Sequence, residues 1–372
     1  MAVKNSTQQT EHLTVTIAEA KTRVLRCLRK KRPIFLWGAP GIGKSDSIAQ
    51  ITEALGDSVM LDFRLGTRQP TDIIGIPFYN KETGQMDWAP PVDLPTSEFA
   101  AQYKYVVLFL DELTSAAPAV QAAAYQLVLS RRVNKYILPD NVLIVAAGNR
   151  ESDRGVTYRM PTPLANRFVH LEVRHDFDAW FAWAVNNDIN TDVIGYLTFA
   201  KNDLFDFDPK SSGHAFATPR SWCFVSELIG DNDIQDDELR DLVTGTVGEG
   251  ISSKFMAHRK FAKDLPNPTD ILSGKVTTLA TKEISAKYSL IISLCYELKT
   301  SVTNKVAEKV FNEMSENFLS FLMNNFDTEL VIMGARLALV NYSLPFKYSK
   351  MKSYTEFHTR YGKYILAAVS NK

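Results

Sequence analysis

A glycine-rich stretch near the start of the chain has the spacing of a phosphate-binding loop. The sequence GAPGIGKS at residues 38–45 fits the pattern G-x-x-x-x-G-K-[ST], between an apolar run and a helix-forming segment. Glycines let consecutive backbone N–H groups approach phosphate oxygens, and the helix N-terminus adds positive potential. We expect Lys44 to contact the β- and γ-phosphates of ATP and Ser45 to ligate Mg²⁺. The predicted nucleotide-binding residues are Gly38, Ala39, Pro40, Gly41, Ile42, Gly43, Lys44, Ser45, Asp46 and, from a second stretch, Asp111.

Two adjacent carboxylates end an apolar strand later in the chain. Asp111 and Glu112 close the run VVLFLDE, and carboxylates at the end of a buried strand are costly unless a cation or water compensates them. Asp111 is therefore the second predicted Mg²⁺ partner, directly or through water, and Glu112 is the candidate general base that polarises an attacking water. This pair favours hydrolysis over phosphoryl transfer to a small molecule. The alternatives are a glycine-rich turn of another nucleotide fold for the first stretch and two solvated acids for the second.

Five short apolar runs, alternating with helix-forming segments, must position these residues. The runs are PIFLWG, SVMLDFRL, YKYVVLFLDE, VLIVAAGN and RFVHLEV. Each is too apolar to face water, which predicts a parallel sheet covered by helices on both sides. After residue 175 the patterns are mostly helical. We therefore expect a nucleotide-binding core over 1–175, a helical domain over 176–275 and a helical extension over 276–372.

Two β-hairpins are predicted outside this sheet. One runs from Ile76 to Trp88 around the tip NKETG, and the other lies in VNKYILPDN. The first carries Phe78, Tyr79 and Met86 as well, and these side chains either grip a partner or pack the hairpin onto the sheet. The sequence alone leaves both alternatives open.

The composition excludes several classes of protein. The chain has 372 residues with 42 Lys and Arg against 42 Asp and Glu, which disfavours a protein that coats DNA through a basic excess. Cys27, Cys223 and Cys295 have neither metal spacing nor a disulfide framework, which favours a reducing, cytoplasmic setting. The first residues lack the apolar core of a signal peptide, and no run approaches the roughly 20 apolar residues that span a bilayer. No metal other than Mg²⁺ is predicted.

Five motifs together give the chain a resemblance to the AAA+ superfamily and, within it, to the MoxR-type ATPases. They are GAPGIGKS, VVLFLDEL, VLIVAAGN, MPTPLANRF and ATPRSW, which occur in the family's order within residues 16–230. FRLGTRQPTDIIG followed by a hairpin is similar to the helix-2 insertion of that clade. The resemblance implies an α/β fold, a P-loop αβα sandwich with a five-stranded parallel sheet, followed by an all-α lid and an α-helical C-terminal region.

The resemblance also implies roles for residues outside the phosphate loop. Asn149 matches sensor 1, which orients the attacking water, and Arg220 in TPRSW matches sensor 2, which links lid and nucleotide. Arg167 matches the arginine finger that reaches the γ-phosphate in a neighbouring subunit, with Arg154 and Arg159 as competitors. The alternatives are a turn residue for Asn149 and surface residues for the arginines. The chain departs from the family in LTSAAPAV, which lacks the arginine usual there. The predicted catalytic residues are Glu112, Lys44, Asn149, Arg167 and Arg220.

The same resemblance implies how ATP hydrolysis would be used. An arginine that acts in trans requires a ring, and family behaviour suggests a homohexamer. MoxR-type ATPases commonly work with a partner that carries a von Willebrand factor A domain, so remodelling or maturation of such a partner is the favoured function. A nucleic-acid motor or loader is the alternative class, supported by the basic cluster RCLRKKR at 26–32, which is otherwise a solvated helix end. A nucleotide-gated scaffold with negligible turnover is the third.

Overall fold

The computed structural model describes residues 14–153, 157–210, 213–230, 234–346 and 351–369, with side chains through residue 362. The chain divides into two units. The first comprises Met1–Ala179 and Asp208–Ser211, and the second comprises Trp180–Phe207 and Ser212–Lys372. The first is built on a β-sheet, and the second is mostly helical.

Six parallel strands form the main sheet of the first unit, in the order β1-β10-β2-β9-β6-β3. The strands along the chain, including those of two hairpins, are β1 (Thr14–Thr16), β2 (Ile34–Trp37), β3 (Ser58–Arg64), β4 (Ile76–Asn80), β5 (Gln85–Ala89), β6 (Tyr105–Asp111), β7 (Arg132–Val133), β8 (Tyr136–Ile137), β9 (Val142–Gly148) and β10 (Val169–Arg174). The prediction of a parallel sheet is confirmed, but the predicted count of five strands is wrong. The sixth strand, β1, has three residues, which are too few to show a sequence pattern.

The central strands of the sheet are buried on both faces. This burial explains the continuous apolar sequences of β2, β9 and β6. Because the strands are parallel, their carboxyl ends lie at one edge of the sheet, where Trp37 pairs with Gly148 and Arg64 pairs with Asp111. The phosphate loop follows β2, the paired acids end β6, and Asn149 follows β9. The topology therefore brings the predicted chemical groups to a single edge.

Helices accompany the sheet, and their ends follow local sequence signals. The first, α1, begins with a capping box between Thr16 and Glu19 and buries three apolar side chains at helical spacing. It ends at Arg29, shortly before Pro33. The described helices that begin in the first unit are α1 (Ile17–Arg29), α2 (Lys44–Ala54), α3 (Thr71–Ile74), α4 (Ser97–Ala100), α5 (Pro118–Ser130), α6 (Thr162–Ala165) and α7 (Phe177–Ala184). This arrangement is a P-loop αβα sandwich, as predicted.

Both predicted hairpins are present, and the first one is exposed. Strands β4 and β5 pair in antiparallel register, with Phe78 opposite Asp87 and Tyr79 opposite Met86. The exposed fractions of the apolar side chains are high: Ile76 62%, Phe78 44%, Tyr79 61% and Met86 64%. These side chains therefore do not pack the hairpin onto the sheet. A salt bridge of 2.6 Å between Asp87 and Lys135 joins it to the second hairpin, β7–β8.

The second unit is a helical assembly. Its described helices are α8 (Thr191–Phe199), α9 (Pro219–Ile229), α10 (Asp236–Val247), α11 (Glu249–Lys263), α12 (Pro268–Leu272), α13 (Ile284–Thr303), α14 (Glu308–Asn325), α15 (Thr328–Arg336) and α16 (Lys352–Val369). Helix α13 is central, because it packs against α8, α11, α12 and α14 and buries residues on several sides. None of the helices described combines the length and the apolar composition that crossing a bilayer requires.

Candidate functional site

The phosphate loop forms the turn between β2 and α2. Gly41 and Gly43 have φ angles of 74° and 86°, in the left-handed region that side chains disfavour. Gly43 is the N-cap of α2 and provides no capping side chain. The positive end of this helix is therefore open to an anion. Ala39 and Ile42 are buried and anchor the loop to the unit.

The Lys44 ammonium lies across the mouth of this loop. Its Nζ donates hydrogen bonds to the carbonyl oxygens of Gly38 at 2.8 Å and Ala39 at 3.0 Å. It also donates to Oδ1 of Asn149 at 3.1 Å. The structure thus brings together the phosphate-loop lysine and the residue predicted as sensor 1. Asp46 lies exposed on the first turn of α2, and Pro40 lies in the loop.

Ser45 and Asp111 bring together two oxygen atoms that could ligate a metal ion. The Ser45 hydroxyl donates to Oδ2 of Asp111 at 2.9 Å, and Asp111 is only 9% exposed. A hydroxyl and a carboxylate held this close are suited to Mg²⁺, which prefers oxygen ligands and takes one or two carboxylates with phosphate oxygens and water. The donor set therefore fits the predicted metal. Among the residues with described positions, no group of three or more His, Cys, Asp or Glu could hold another metal ion.

Glu112 has an unusual backbone conformation directly after β6. Its φ angle is 55°, which is uncommon for a residue other than glycine, and its N–H donates to Oδ1 of Asp111 at 2.9 Å. The carboxylate lies over Gly66, where an added Cβ would be 2.5 Å from Oε2 of Glu112. The missing side chain at Gly66 therefore leaves room for this carboxylate. Sequence reasoning did not identify Gly66, because the contact is tertiary.

Arg64, at the end of β3, is the cation associated with these acids. A hydrogen bond to Asp62 raises the pKa of the Arg64 guanidinium, and the charges of Asp111 and Glu112 raise it further. The side chain is well exposed, so solvent screens these interactions. The edge of the sheet therefore carries both signs of charge.

Thr114 joins the turn after the paired acids to the end of β9. Its hydroxyl donates to the carbonyl oxygen of Asn149 at 3.2 Å, and the residue is 2% exposed. Its own carbonyl accepts a 2.6 Å hydrogen bond from the N–H of Tyr158. The sequence signal was indirect, because Thr114 lies in LTSAAPAV, the stretch that departs from the family pattern. The threonine fixes the peptide that follows the sensor position.

Arg150 fixes the same peptide from the other side. Its N–H donates to Oδ2 of Asp153 at 3.0 Å, and its guanidinium pairs with Asp153 at 3.0 Å and with Glu172 at 2.6 Å. Burial alone would lower the pKa of Arg150, but the hydrogen bonds to the two carboxylates outweigh burial and raise it. The backbone after β9 is therefore held by a network of charged groups.

The predicted arginines lie outside this cluster. Arg167 is exposed in the turn after α6, and its guanidinium makes no hydrogen bond or ion pair within the described part of the chain. Arg159 is also exposed, whereas Arg154 lies outside the described residues. Arg220 is the second residue of α9 in the second unit and is exposed beside the capping box of Thr218. The roles of these arginines remain predictions.

Comparisons with known proteins give a partial relationship. No protein-family model matches the chain. Over 195 residues, or 49% of the chain, the sequence is 29% identical to midasin of Giardia intestinalis. The match spans only 4% of the length of midasin. The chain is thus similar to a small part of a much larger protein.

Solved structures give weaker similarities. One is a protein of Cytophaga hutchinsonii whose assignment as an ATPase is provisional, with a TM-score of 0.33, 14% identity and coverage of 88% of this chain and 81% of that one. Another is NtrX of Brucella abortus in complex with ADP, with a TM-score of 0.38, 12% identity and coverage of 93% and 67%. Independently of these similarities, the parallel sheet and the glycine-rich loop define the class of P-loop proteins, and further assignment rests on the site.

Proposed function

We propose that this chain hydrolyses ATP to ADP and phosphate with Mg²⁺ bound by Ser45 and Asp111. The observation that carries the proposal is the 3.1 Å hydrogen bond from Lys44 Nζ to Asn149 Oδ1. This bond places the Lys44 ammonium beside the side-chain amide of Asn149, which follows strand β9. Asp111 and Glu112, at the end of β6, lie at the same edge of the sheet. An anion-binding cation, oxygen ligands and a base at one place are the components that phosphoryl transfer to water requires.

Each residue has a distinct role in this proposal. Lys44 neutralises charge on the β- and γ-phosphates, and the Asn149 amide orients the attacking water. Glu112 accepts the proton of that water. When bound, Mg²⁺ would supply a Lewis acid that offsets negative charge on the phosphates. Ser45 and Asp111, already in hydrogen-bond contact at 2.9 Å, would hold the ion without rearrangement of the backbone.

The complete site in this proposal contains an arginine from a second copy of the chain. Arg167 is exposed and has no partner among the described residues, as expected for a side chain that acts on a neighbouring subunit. A head-to-tail contact of this kind closes into a ring, and we propose a homohexamer. In the second unit, Arg220 is the proposed sensor 2.

The work done by hydrolysis is proposed to be the remodelling or maturation of a protein partner. The exposed apolar side chains on β4 and β5 support a protein partner, because water-exposed apolar clusters commonly mark interaction surfaces. The resemblance to MoxR-type ATPases supports a partner with a von Willebrand factor A domain. For a nucleic acid, by contrast, the hairpin lysine offers little, because Lys135 is paired with Asp87.

The test of hydrolysis compares the parent with Glu112→Gln. The variant should bind a fluorescent ATP analogue as the parent does, while phosphate release falls by about a hundredfold or more because the base is lost. Glu53→Gln, the same substitution at an exposed position near the end of α2, is the matched control and should keep most of the turnover. Unchanged turnover in Glu112→Gln would contradict the proposal and favour a nucleotide-gated scaffold.

The test of the partner uses the Glu112→Gln protein as a trap. Affinity purification from native cells in ATP should retain a protein with a von Willebrand factor A domain, and addition of that protein should raise the parent's turnover. Met86→Lys on the hairpin is the matched control. Combined with Glu112→Gln it should lose the partner in the purification, and introduced alone it should keep the parent's basal hydrolysis. Turnover stimulated by DNA or RNA and abolished steeply by salt would instead indicate the nucleic-acid motor.

A further inference from the structure

We infer that His170 is a positioning residue that ties the segment bearing Arg167 to the strand end that opens the phosphate loop. The inference rests on the proposed function, in which Arg167 acts in the site of a neighbouring subunit. It assigns a role to a side chain on β10 that contacts neither the phosphate loop nor the paired acids. Through His170, the state of a subunit's own loop and the placement of the arginine it lends would be linked.

Two hydrogen bonds define the connection. The indole Nε1–H of Trp37 donates to Nδ1 of His170 at 2.9 Å. Nε2 of His170 lies 2.8 Å from the carbonyl oxygen of Ala165. Trp37 ends β2 and directly precedes Gly38, whereas Ala165 ends α6, two residues before Arg167. A single imidazole thus bridges the start of the phosphate loop and the base of the arginine segment.

The hydrogen-bonding groups of Trp37 and Ala165 select one tautomer of the His170 ring. An indole N–H can only donate, so Nδ1 must be the acceptor. A carbonyl oxygen can only accept, so Nε2 must carry the proton. In the other tautomer, an N–H of the ring would face the N–H of Trp37. The two partners therefore fit the tautomer with its proton on Nε2, and the orientation of the ring is fixed from both sides.

Aromatic packing stiffens the same connection. The rings of Trp37 and His170 are nearly parallel, with centroids 6.0 Å apart and an angle of 27° between their planes. Phe168, next to Arg167 in sequence, contacts the ring of Phe35 edge-on at 5.6 Å and that of His170 at 6.2 Å. Phe35 is fully buried. The segment is therefore attached to the sheet on both sides of Arg167.

The local backbone carries this attachment to the arginine. The N–H of Arg167 donates to the carbonyl of Leu164 at 3.0 Å, and the N–H of Phe168 donates to Ala165 at 3.2 Å. The Ala165 carbonyl therefore accepts from His170 and from the arginine turn together. Loss of the imidazole would release this carbonyl and let the turn shift, and a displacement of about 1 Å at a catalytic group can cost about a hundredfold in rate.

Three substitutions separate the hydrogen bonds from the packing. His170→Phe keeps an aromatic ring and removes both hydrogen bonds. His170→Gln keeps an amide that can accept from Trp37 and donate to Ala165, so it should restore much of the function. Trp37→Phe removes only the first hydrogen bond and serves as the second variant should His170→Phe fail to fold, as judged by thermal unfolding.

The deciding experiment mixes subunits, because a positioning role in trans depends on which subunit carries the change. The Lys44→Ala subunit has a defective phosphate loop but can still supply Arg167 to its neighbour. The Arg167→Ala subunit has an intact phosphate loop but supplies no arginine. Mixing the two should restore turnover, since some interfaces then combine both intact parts. Placing His170→Phe in the Lys44→Ala subunit should lower the restored turnover about tenfold or more. Placing it in the Arg167→Ala subunit should lower it far less.

The outcomes distinguish the inference from the proposed function. Suppose that the mixture of Lys44→Ala and Arg167→Ala subunits restores turnover, and that His170→Phe has the same effect in either subunit. The positioning role is then wrong, and His170 is merely structural. If the mixture of Lys44→Ala and Arg167→Ala subunits restores no turnover, the proposed site shared between subunits is wrong, and the inference about His170 is wrong with it. A loss confined to the subunit that lends Arg167, with recovery by His170→Gln, supports the inference.

Discussion

The hydroxyl of Thr114 donates a hydrogen bond to the carbonyl oxygen of Asn149, 3.2 Å away, and so joins the turn after Glu112 to the residue after β9. The two strands β6 and β9 are neighbours in the sheet, so this bond also connects the segments that follow them. The base and the water-orienting amide of the proposed reaction therefore share one rigid support. Thr114, which is only 2% exposed, therefore helps to set their relative position.

Thr114→Val should lower turnover about tenfold while ATP binding changes little. Valine has nearly the same shape, but without the hydroxyl the Asn149 carbonyl loses its partner and the sensor peptide can rotate. Steady-state kinetics and titration with a fluorescent ATP analogue would separate kcat from binding. Thr114→Ser retains the hydroxyl and is the matched control. Equal losses in both variants would show that packing, rather than the hydrogen bond, matters.

Gly66→Ala should impair hydrolysis without unfolding the protein. A Cβ at this position would lie 2.5 Å from Oε2 of Glu112, and the end of a flexible side chain moves away at little cost in stability. The displaced carboxylate would be a poorer base, and we expect turnover to fall about tenfold. Phosphate release and thermal unfolding should be measured together.

The control for that change is Gly245→Ala, since the added methyl group there meets no atom within 4 Å. Gly245 lies in α10, where alanine is the better helix former, so this variant should be as active as the parent and slightly more stable. A Gly66→Ala enzyme with full turnover would show that Glu112 tolerates displacement or is not the base.

Arg150→Met should destabilise the first unit by about 1–3 kcal/mol, which is less than for a fully buried pair because Arg150 is partly exposed. The change leaves the carboxylates of Asp153 and Glu172 without their cation, and the side chain of Asp153 is only 3% exposed. Chemical denaturation would measure the loss. Arg240→Met breaks an exposed pair with Asp237 and should change stability little. Similar effects for the two variants would contradict the structural role of Arg150.

His258 should make the stability of the second unit depend on pH. Burial lowers the pKa of this histidine to about 4, against a weaker opposing effect of Asp192 and Glu283, and its Nε2 lies 2.7 Å from the Ser289 hydroxyl. Because the folded pKa is below the unfolded value of 6.5, the stabilisation is complete above pH 6.5. It is lost as pH falls from there toward 4, by up to about 3 kcal/mol.

His258→Gln provides the comparison, because the amide can still bond Ser289 but does not titrate. Unfolding measured by denaturant at several pH values should show a flatter dependence in the variant than in the parent. The carboxylates contribute to both curves, so only the difference between them reports on His258. Parallel curves would mean that the histidine is solvated or titrates normally.

The sequence predicted the elements that have strong local signals. Apolar runs revealed five strands of the sheet, and glycine spacing located the loop between β2 and α2. The short strand β1 had no such signal, because it has three residues and the last of them, Thr16, is also the N-cap of α1. Tertiary contacts were also invisible, since nothing local indicates that Gly66 lies against Glu112 or that His170 bridges Trp37 and Ala165.

The roles of the arginines show another limit of sequence reasoning. Arg167 was assigned by resemblance, and the structure shows an exposed side chain without indicating what it meets. A residue that functions between subunits has its partner in another copy of the chain, so the sequence around it carries no signal of that partner. The subunit-mixing experiment addresses this point directly.

The ribbon of β4 and β5 exposes apolar side chains on both of its broad surfaces. Phe78 and Tyr79 alternate along β4 and therefore point to opposite broad surfaces, yet both are exposed, as is Met86 across from Tyr79. A two-stranded ribbon gains little rigidity from burial under these conditions. In concentrated preparations it is consequently the element we expect to nucleate precipitation, and mild detergent or a charged tip substitution should keep such samples clear.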